Sequence, residues 1–144
     1  RFLIWGDGDE REALQQRVRD EHIDNVIFKG RVEKKFVPSI VSRADVNIAH
    51  CISAPVDRYG ISFNKMFEYF AAGKIVLSDC PTEYNPALQC GAGITVKAVD
   101  KLAALPEEER RRFEENSRAA AHKYDFKNLT NELLELILSI PRRK

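Results

Sequence analysis

The sequence predicts an α/β fold with a doubly wound parallel sheet, and three observations support this. Short apolar runs alternate along the chain with segments whose apolar residues recur at helical spacing. The apolar runs are continuous, which is typical of parallel strands that helices bury on both faces. The length of 144 residues suits one domain. We therefore expect a single domain over residues 1–144.

Five strands and seven helices are expected in alternation. The predicted strands are residues 2–5, 26–28, 44–48, 75–77 and 93–96. The predicted helices are residues 10–21, 34–43 and 63–72, a short helix begun by Pro86, and residues 100–105, 106–123 and 128–140. Gly73 should end the third helix, because glycine readily adopts the left-handed conformation common at helix C-termini. Pro106 is followed by three glutamates and should begin the C-terminal helices at 106–140, since proline restricts φ and acidic charge suits a helix N-terminus.

Composition and charge bound the class of function. Apolar residues make up 44% of the chain and charged residues 31%, which suits a packed core with a water-facing surface. The net charge of +1 does not indicate a nucleic-acid partner. The three cysteines form no C-x-x-C pair and are odd in number, which favours reduced thiols and a cytoplasmic protein. The three histidines lie far apart without metal-ligand spacing, so we expect no metal.

The beginning of the chain predicts an excised domain. Arg1 leads directly into the apolar run Phe2–Trp5 with no leader. Native proteins rarely begin inside their first strand. No apolar stretch of about 18 residues is present to cross a membrane.

Functional residues are expected on the loops that follow the strands, because ligands of doubly wound sheets bind outside the carboxyl ends of the strands. These loops are Gly6–Asp9, Gly30–Glu33, Ala49–Asn64 and Ser78–Tyr84. In the first loop, Gly6, Asp7 and Gly8 allow a tight turn and a close approach to a ligand, ahead of a helix whose N-terminus attracts anions. Arg11 stands where the third glycine of a dinucleotide fingerprint would be. The alternative is a turn that needs glycine for its geometry alone.

The segment from Tyr59 to Lys74 carries the strongest signal. Its glycine and small polar residues precede a helix, so the backbone N–H groups of Ser62, Phe63 and Asn64 should point toward a ligand. Glu68 lies one turn after Asn64 on the same helix face, and a carboxylate accepts vicinal sugar hydroxyls well. Lys65 adds a positive charge nearby. The alternative is a surface helix whose Lys65 and Glu68 are simply solvated.

Taken in order, these segments resemble the C-terminal domain of the retaining GT-B glycosyltransferases of group 1, also called family 4. The resemblance covers nearly the whole chain, and the Gly60–Lys74 helix is its most specific part. The other segments are Ile4–Gly8, Asn25–Val32, Ser42–Ile48, Ile75–Ser78 and Asn116–Phe126. The resemblance implies a Rossmann-like domain that forms the C-terminal half of a GT-B fold.

The resemblance also implies a function and a set of donor-binding residues. A sugar, of hexosyltransferase type, would move from a UDP- or GDP-linked donor to an acceptor with retention, in polysaccharide biosynthesis. Glu68 would hold the donor ribose, the backbone near Ser62, Phe63 and Asn64 the β-phosphate, and the Arg31–Val32 backbone the base. The loop of Gly6, Asp7 and Gly8 and the charge of Lys65 complete the predicted site.

The sequence departs from the family at several points. The family signature has two glutamates, and Gly60 stands at the position of the first. No residue at this position is therefore assigned a contact with the transferred sugar. The family's upstream Arg and Lys have no match, and an N-terminal acceptor domain is missing. No catalytic residue is therefore assigned, and the chain alone is expected to bind nucleotide without being active. Backbone donors would stabilise charge on the departing diphosphate, so neither a metal nor a resident cofactor is expected.

Two other classes of protein remain open. One is a non-catalytic nucleotide- or protein-binding module of Rossmann-like fold, which fold alone does not exclude. The other is a NAD-dependent enzyme. The broken glycine fingerprint argues against that enzyme, as does Lys29 where a ribose-binding acid would be expected.

The last helix is predicted to expose an apolar strip. Its residues recur at helical spacing and are Leu129, Leu133, Leu136, Ile137 and Ile140. The missing acceptor domain is the first expected partner, because Glu132 and Glu135 oppose an acidic membrane. Peripheral contact with the inner face of a membrane through Arg142–Lys144 is the second. The alternative is that the whole strip belongs to the core.

Overall fold

The structure is a computed structural model, and it describes residues 1–80 and 82–141. The predicted fold class is confirmed, since parallel strands alternate with helices along the chain. The chain divides into two compact units, Arg1–Val37 and Pro38–Lys144, and each is described by itself.

The strands and helices follow the predicted order. The strands are β1 (Phe2–Trp5), β2 (Val26–Gly30), β3 (Val46–Ala49), β4 (Ile75–Ser78) and β5 (Gly93–Thr95). The helices are α1 (Arg11–Asp20), α2 (Val37–Val41), α3 (Asn64–Ala71), α4 (Pro86–Gln89), α5 (Val99–Ala103), α6 (Glu107–Lys123) and α7 (Phe126–Ser139). Short 3-10 helices lie at Lys34–Phe36, Pro55–Tyr59 and Val96–Ala98.

The helix predicted at residues 34–43 is instead a 3-10 turn followed by the short α2. Pro38 has no N–H to donate to Lys34, so an α-helical hydrogen-bond ladder cannot run through both residues. The α-helix therefore begins at Val37, with Pro38 in its first turn, where the missing donor costs little.

The first unit is a βαβ element in which β1 pairs in parallel with β2. The expected burial of β1 is wrong. Its side chains are 40–50% exposed, from Trp5 at 40% to Leu3 at 50%. A strand of a parallel sheet is buried only where helices cover its faces. None of the α1 residues is buried, and Leu14 is 45% exposed, so α1 does not provide that cover.

The second unit contains a parallel sheet in the order β3–β4–β5. The central strand β4 is buried along its whole length. Its continuous apolar run therefore predicted both the strand and its burial correctly. Ala49, the last residue of β3, is in register with Ser78, the last residue of β4. The carboxyl ends of these two strands consequently lie side by side.

The core of the second unit holds α3 in place. Met66 and Phe70 of α3 are fully buried against Val76 of β4, and Phe70 stacks on Tyr124 at 6.1 Å between ring centroids. Ser117 of α6 donates a hydrogen bond to the Lys74 carbonyl at 2.7 Å, just beyond the end of α3. As predicted, Gly73 follows the last turn of α3, with a left-handed φ of 64°.

The predicted apolar strip of α7 is exposed, which confirms that expectation. The exposed fractions of its five side chains run from 39% at Leu129 to 61% at Leu136 and Ile140. Asp125 begins the helix by accepting a hydrogen bond from the Lys127 backbone at 2.8 Å. The expected membrane contact at Arg142–Lys144 lies outside the described residues. Among the described residues, no helix combines the length and apolarity needed to cross a bilayer.

Candidate functional site

Two of the predicted stretches lie together in the first unit, at the carboxyl ends of β1 and β2. Trp5 pairs with Gly30, and the Gly6 N–H donates to the Gly30 carbonyl at 2.9 Å. The Gly6–Gly8 loop and the Arg31–Val32 stretch therefore begin from adjacent strand ends. This is the edge at which doubly wound sheets bind ligands.

The Gly6–Gly8 loop is held by side chains as well as by its own turn. Gly6 has a φ of 136°, which supports the expectation that glycine is needed there. The Asp7 carboxylate accepts hydrogen bonds from the Gly8 N–H at 3.2 Å and from the Arg11 guanidinium at 3.4 Å. The guanidinium also lies against Gly30. The sequence analysis considered Arg11 only as the residue that stands in place of a third glycine. In the structure, its contacts with Asp7 and Gly30 help to fix the conformation of this loop.

The Arg31–Val32 stretch opens onto a shallow surface depression. The residues that line it are Arg31, Val32, Glu33, Lys34 and Val37. Lys35 pairs with Glu33 at 2.8 Å, which neutralises part of the charge beside it. The lining combines two apolar side chains, Val32 and Val37, with charged ones, so it could accept a flat ring or an anionic group.

The other predicted residues lie in the second unit, at the N-terminus of α3. Phe63 is the N-cap residue in an extended conformation, and its side chain makes no capping hydrogen bond. The first N–H groups of a helix have no partner within the helix, so the first turn of α3 offers donors to an anion. The α3 segment follows the loop that leaves β3, which places these donors on the carboxyl side of the β3–β4 pair.

Lys65 and Glu68 are both half-buried rather than fully solvated. The Lys65 ammonium donates to the His50 carbonyl at 3.1 Å and lies 5.4 Å from the centre of the Phe63 ring. Burial, together with the negative charge of Glu68, raises the pKa of the Tyr69 phenol, which donates to the Ile48 carbonyl at 3.3 Å. These contacts argue against the simple solvated-helix alternative.

Gly60 has a structural reason to be glycine. Its φ is 106°, in a range that side-chain-bearing residues rarely adopt, and an added Cβ would lie 3.2 Å from the Tyr84 Cβ. A glutamate at this position would strain the backbone and crowd Tyr84. The missing family glutamate therefore coincides with a loop conformation in which a glutamate would be strained.

A further polar cluster, which the sequence analysis did not identify, lies at the same edge of the second unit. His50 follows β3 and Asp79 follows β4, and the His50 Nδ1 lies 2.5 Å from the Asp79 carboxylate. The Cys51 N–H donates to the other carboxylate oxygen at 3.3 Å. Burial raises the pKa of Asp79, but the hydrogen bonds from His50 and Cys51 outweigh it and hold the pKa below its ordinary value. Asp79 is therefore ionised at neutral pH.

The Cys51 and Cys80 thiols lie beside this cluster. Burial and the neighbouring Cys80 raise the pKa of Cys51 to about 12, so it carries little thiolate at neutral pH. Cys80 is buried and donates to the Ala49 carbonyl at 3.5 Å. All three cysteines are free thiols. Within residues 1–80 and 82–141, no group of three or more His, Cys, Asp or Glu side chains is placed to hold a metal ion.

Comparisons with known proteins identify the fold and the family. Anabaena Alr3699/HepE matches in two solved complexes, with UDP and glucose and with UDP-glucose, at a TM-score of 0.68 and 17% and 18% identity. WaaG, a glycosyltransferase involved in lipopolysaccharide biosynthesis, matches at a TM-score of 0.64 and 15% identity. Each match covers 96% of this chain, which spans 40% of HepE and 38% of WaaG. A search of curated proteins finds no match.

The fold is thus that of the Rossmann-like C-terminal domain of GT-B glycosyltransferases. The family model "Glycosyl transferases group 1" matches residues 1–107, which is well over half of the chain. The chain belongs to the group 1 glycosyl transferases. The matched range includes every residue of the candidate site.

Proposed function

We propose that this chain is the donor-binding part of a glycosyltransferase that moves a hexose from a nucleoside-diphosphate sugar to an acceptor with retention, as family 4 enzymes do. The observation that carries the proposal is the group 1 match together with the uncapped N-terminus of α3 on the carboxyl side of β3 and β4. The acceptor would be held by an N-terminal domain that lies outside these residues. Polysaccharide biosynthesis in the cytoplasm, at the inner face of the membrane, is the proposed setting.

The second unit would hold the diphosphate and the ribose. Backbone N–H groups at Ser62, Phe63 and Asn64 would donate to the β-phosphate, and Glu68 would accept hydrogen bonds from the ribose hydroxyls. As the bond to the sugar breaks, negative charge grows on the departing diphosphate. Donors fixed before the reaction stabilise that charge without reorganising, and each is worth about 3 kcal/mol in the barrier. The scheme needs no resident cofactor.

The resemblance to family 4 implies a base contact at Arg31 and Val32. The depression beside Arg31 and Val32 offers backbone groups and the apolar edge of Val37 to a nucleobase. The Gly6–Gly8 loop, which Arg11 holds through its hydrogen bond to Asp7, would let the donor approach the backbone closely. UDP and GDP are the proposed nucleotides of the donor. UDP comes first, since HepE is solved with UDP and with UDP-glucose.

Binding of nucleotides tests the proposal directly. The labelled chain is titrated with UDP, GDP, ADP and NAD while its amide NMR signals are followed. We expect weak binding of UDP or GDP, with shifts concentrated at Gly6–Gly8, Val32 and Ser62–Glu68. Shifts from UDP or GDP that fall elsewhere would contradict the site. A preference for NAD would favour the dehydrogenase alternative, and no nucleotide binding would favour a protein-binding module.

Replacement of Glu68 by alanine should weaken nucleotide binding without unfolding the domain. The ribose would lose the carboxylate that accepts its hydrogen bond. A charge-assisted hydrogen bond is worth about 1.5–3 kcal/mol, or roughly 10- to 150-fold in Kd. Calorimetric or NMR titration of Glu68→Ala measures the loss. Glu108→Ala, at an exposed glutamate in the first turn of α6, is the matched control. Equal affinity in Glu68→Ala and the parent chain would return Glu68 to a surface role.

A further inference from the structure

The His50–Asp79 pair is a hydrogen-bonded pair whose imidazole is largely exposed. Both carboxylate oxygens of Asp79 are engaged, one by the His50 Nδ1 at 2.5 Å and one by the Cys51 N–H at 3.3 Å. The Asp79 side chain is 32% exposed and that of His50 is 67% exposed. Because a carboxylate only accepts, Nδ1 carries the hydrogen of this bond. The opposite ring nitrogen, Nε2, is left for a ligand.

The position of His50 is fixed from a second side by α3. The Lys65 ammonium, in the first turn of α3, donates to the His50 carbonyl at 3.1 Å. The imidazole, the ammonium and the uncapped helix N-terminus therefore lie along one edge of the β3–β4 pair. A lysine ammonium, the free N–H groups of a helix N-terminus and an imidazole that gains a second N–H on protonation together match the chemistry of a phosphate, whose oxygens accept several hydrogen bonds at once.

We propose that His50, oriented by Asp79, is a binding residue for the β-phosphate of the nucleotide and becomes protonated when the diphosphate binds. This inference rests on the proposed function and adds to it a residue and a pH dependence. In the neutral ring, Nε2 is an acceptor and would repel a phosphate oxygen. Uptake of one proton at Nε2 converts it into a donor and gives the ring a positive charge.

The charged and titratable groups around His50 set the direction of the pH dependence. Asp79 and Cys80 follow β4, Lys65 lies on α3, and Cys51 and Asp57 lie in the segment after β3. Asp79 is ionised and favours a protonated imidazole, whereas Lys65 opposes it. Asp79, whose pKa is lowered, keeps its charge over the pH range in which an imidazole gains or loses a proton. The β-phosphate of UDP itself gains negative charge in this range, and this affects binding with or without the imidazole. The advantage of the parent chain over a variant that lacks the imidazole should therefore fall as the pH rises.

The test compares UDP with UMP, which lacks the β-phosphate, in the parent chain and in His50→Asn. Asparagine can still donate to Asp79 from the position of Nδ1 but has no group at the position of Nε2. Because the His50 side chain is exposed, the substitution should not unfold the domain. At pH 6 we expect His50→Asn to weaken UDP binding about five- to tenfold, the scale of one exposed charge-assisted hydrogen bond, and to leave UMP unchanged. At pH 8.5 parent and variant should bind UDP equally. Calorimetry at pH 6.5 to 7 in buffers of different ionisation heat should show more proton uptake in the parent than in His50→Asn.

Two further variants complete the design. His122→Asn, at an exposed histidine of α6, is the matched control and should keep both the affinity and the pH profile of the parent. Asp79→Asn should move the pH midpoint of UDP binding downward, because the ring loses its anionic partner; a merely structural role would change affinity at every pH alike. Circular dichroism verifies that Asp79→Asn is folded.

Each outcome decides the question. Unchanged UDP binding in His50→Asn at pH 6, or a ratio of parent to His50→Asn affinity that does not change with pH, overturns the role of His50 alone. Equal losses for UMP and UDP overturn the assignment to the β-phosphate. Absence of UDP binding in the parent chain overturns the proposed function together with this inference, and so the two failures are distinguishable.

Discussion

The chain on its own is expected to transfer no measurable sugar. In the proposed function, these residues bind the donor and another domain binds the acceptor. Holding two reactants in a reactive orientation is worth about 7–11 kcal/mol, which corresponds to a rate factor of roughly 10⁵–10⁸. This domain would supply only one wall of the reaction cleft, so nearly all of that factor should be missing.

The measurement is the release of nucleoside diphosphate from UDP-glucose and from a GDP-linked hexose, with and without sugar acceptors. Nucleotide binding by the same preparation is the positive control, because it separates an inactive folded chain from an unfolded one. Donor cleavage at the rate of a buffer blank is the expected result. Robust turnover with any acceptor would show that the 144-residue chain is sufficient, and the half-enzyme proposal would then be wrong.

Apart from α2 and the short 3-10 helices, the strands and helices of the second unit were predictable because they carry clear local signals. The run Ile75–Ser78 is apolar and lies between a glycine-ended helix and a proline-rich loop, which is the pattern of a buried parallel strand. The start of α6 was equally clear, since Pro106 and the acidic first turn agree with its N-terminus. Where propensity, charge and periodicity agree, the element is specified locally.

The first unit shows where local signals fail. The run Phe2–Trp5 has the same apolar character as β4, yet its side chains remain 40–50% exposed. An apolar run predicts a strand, but burial depends on whether helices cover both faces, and that depends on the arrangement of other elements. The apolar residues of α1 do not reveal in advance that none of them would be buried.

The residues of the candidate site also differ in how well the sequence alone could predict them. The donors at Ser62–Asn64 and the carboxylate of Glu68 belong to one helix start and are visible in one continuous segment. The His50–Asp79 pair is 29 positions apart in sequence and meets only because Ala49 and Ser78 are in register. The signal that could have found it is positional, because each residue lies two positions after the end of a predicted strand, in a loop where functional residues were expected. Identifying the pair also requires knowing that β3 and β4 are neighbours.

Replacement of Phe70 by alanine should be the most destabilising of the single substitutions considered for the second unit. Phe70 is fully buried, stacks on Tyr124 and packs with Met66 between α3 and β4. Truncating a buried phenylalanine to alanine typically costs about 3–5 kcal/mol, because transfer free energy is lost and a cavity remains. Urea denaturation followed by circular dichroism should show this as a lower midpoint with an unchanged slope.

Phe126 provides the matched control, because the same substitution there removes a side chain that is 88% exposed. Phe126→Ala should change the free energy of unfolding by less than about 0.5 kcal/mol. The difference bears on the site, since the buried half of α3 is what holds its N-terminal donors beside β3 and β4. Phe70→Ala should therefore also weaken nucleotide binding under conditions where the domain is still folded, whereas Phe126→Ala should not. Similar losses of stability in the two variants would mean that α3 is not anchored through Phe70.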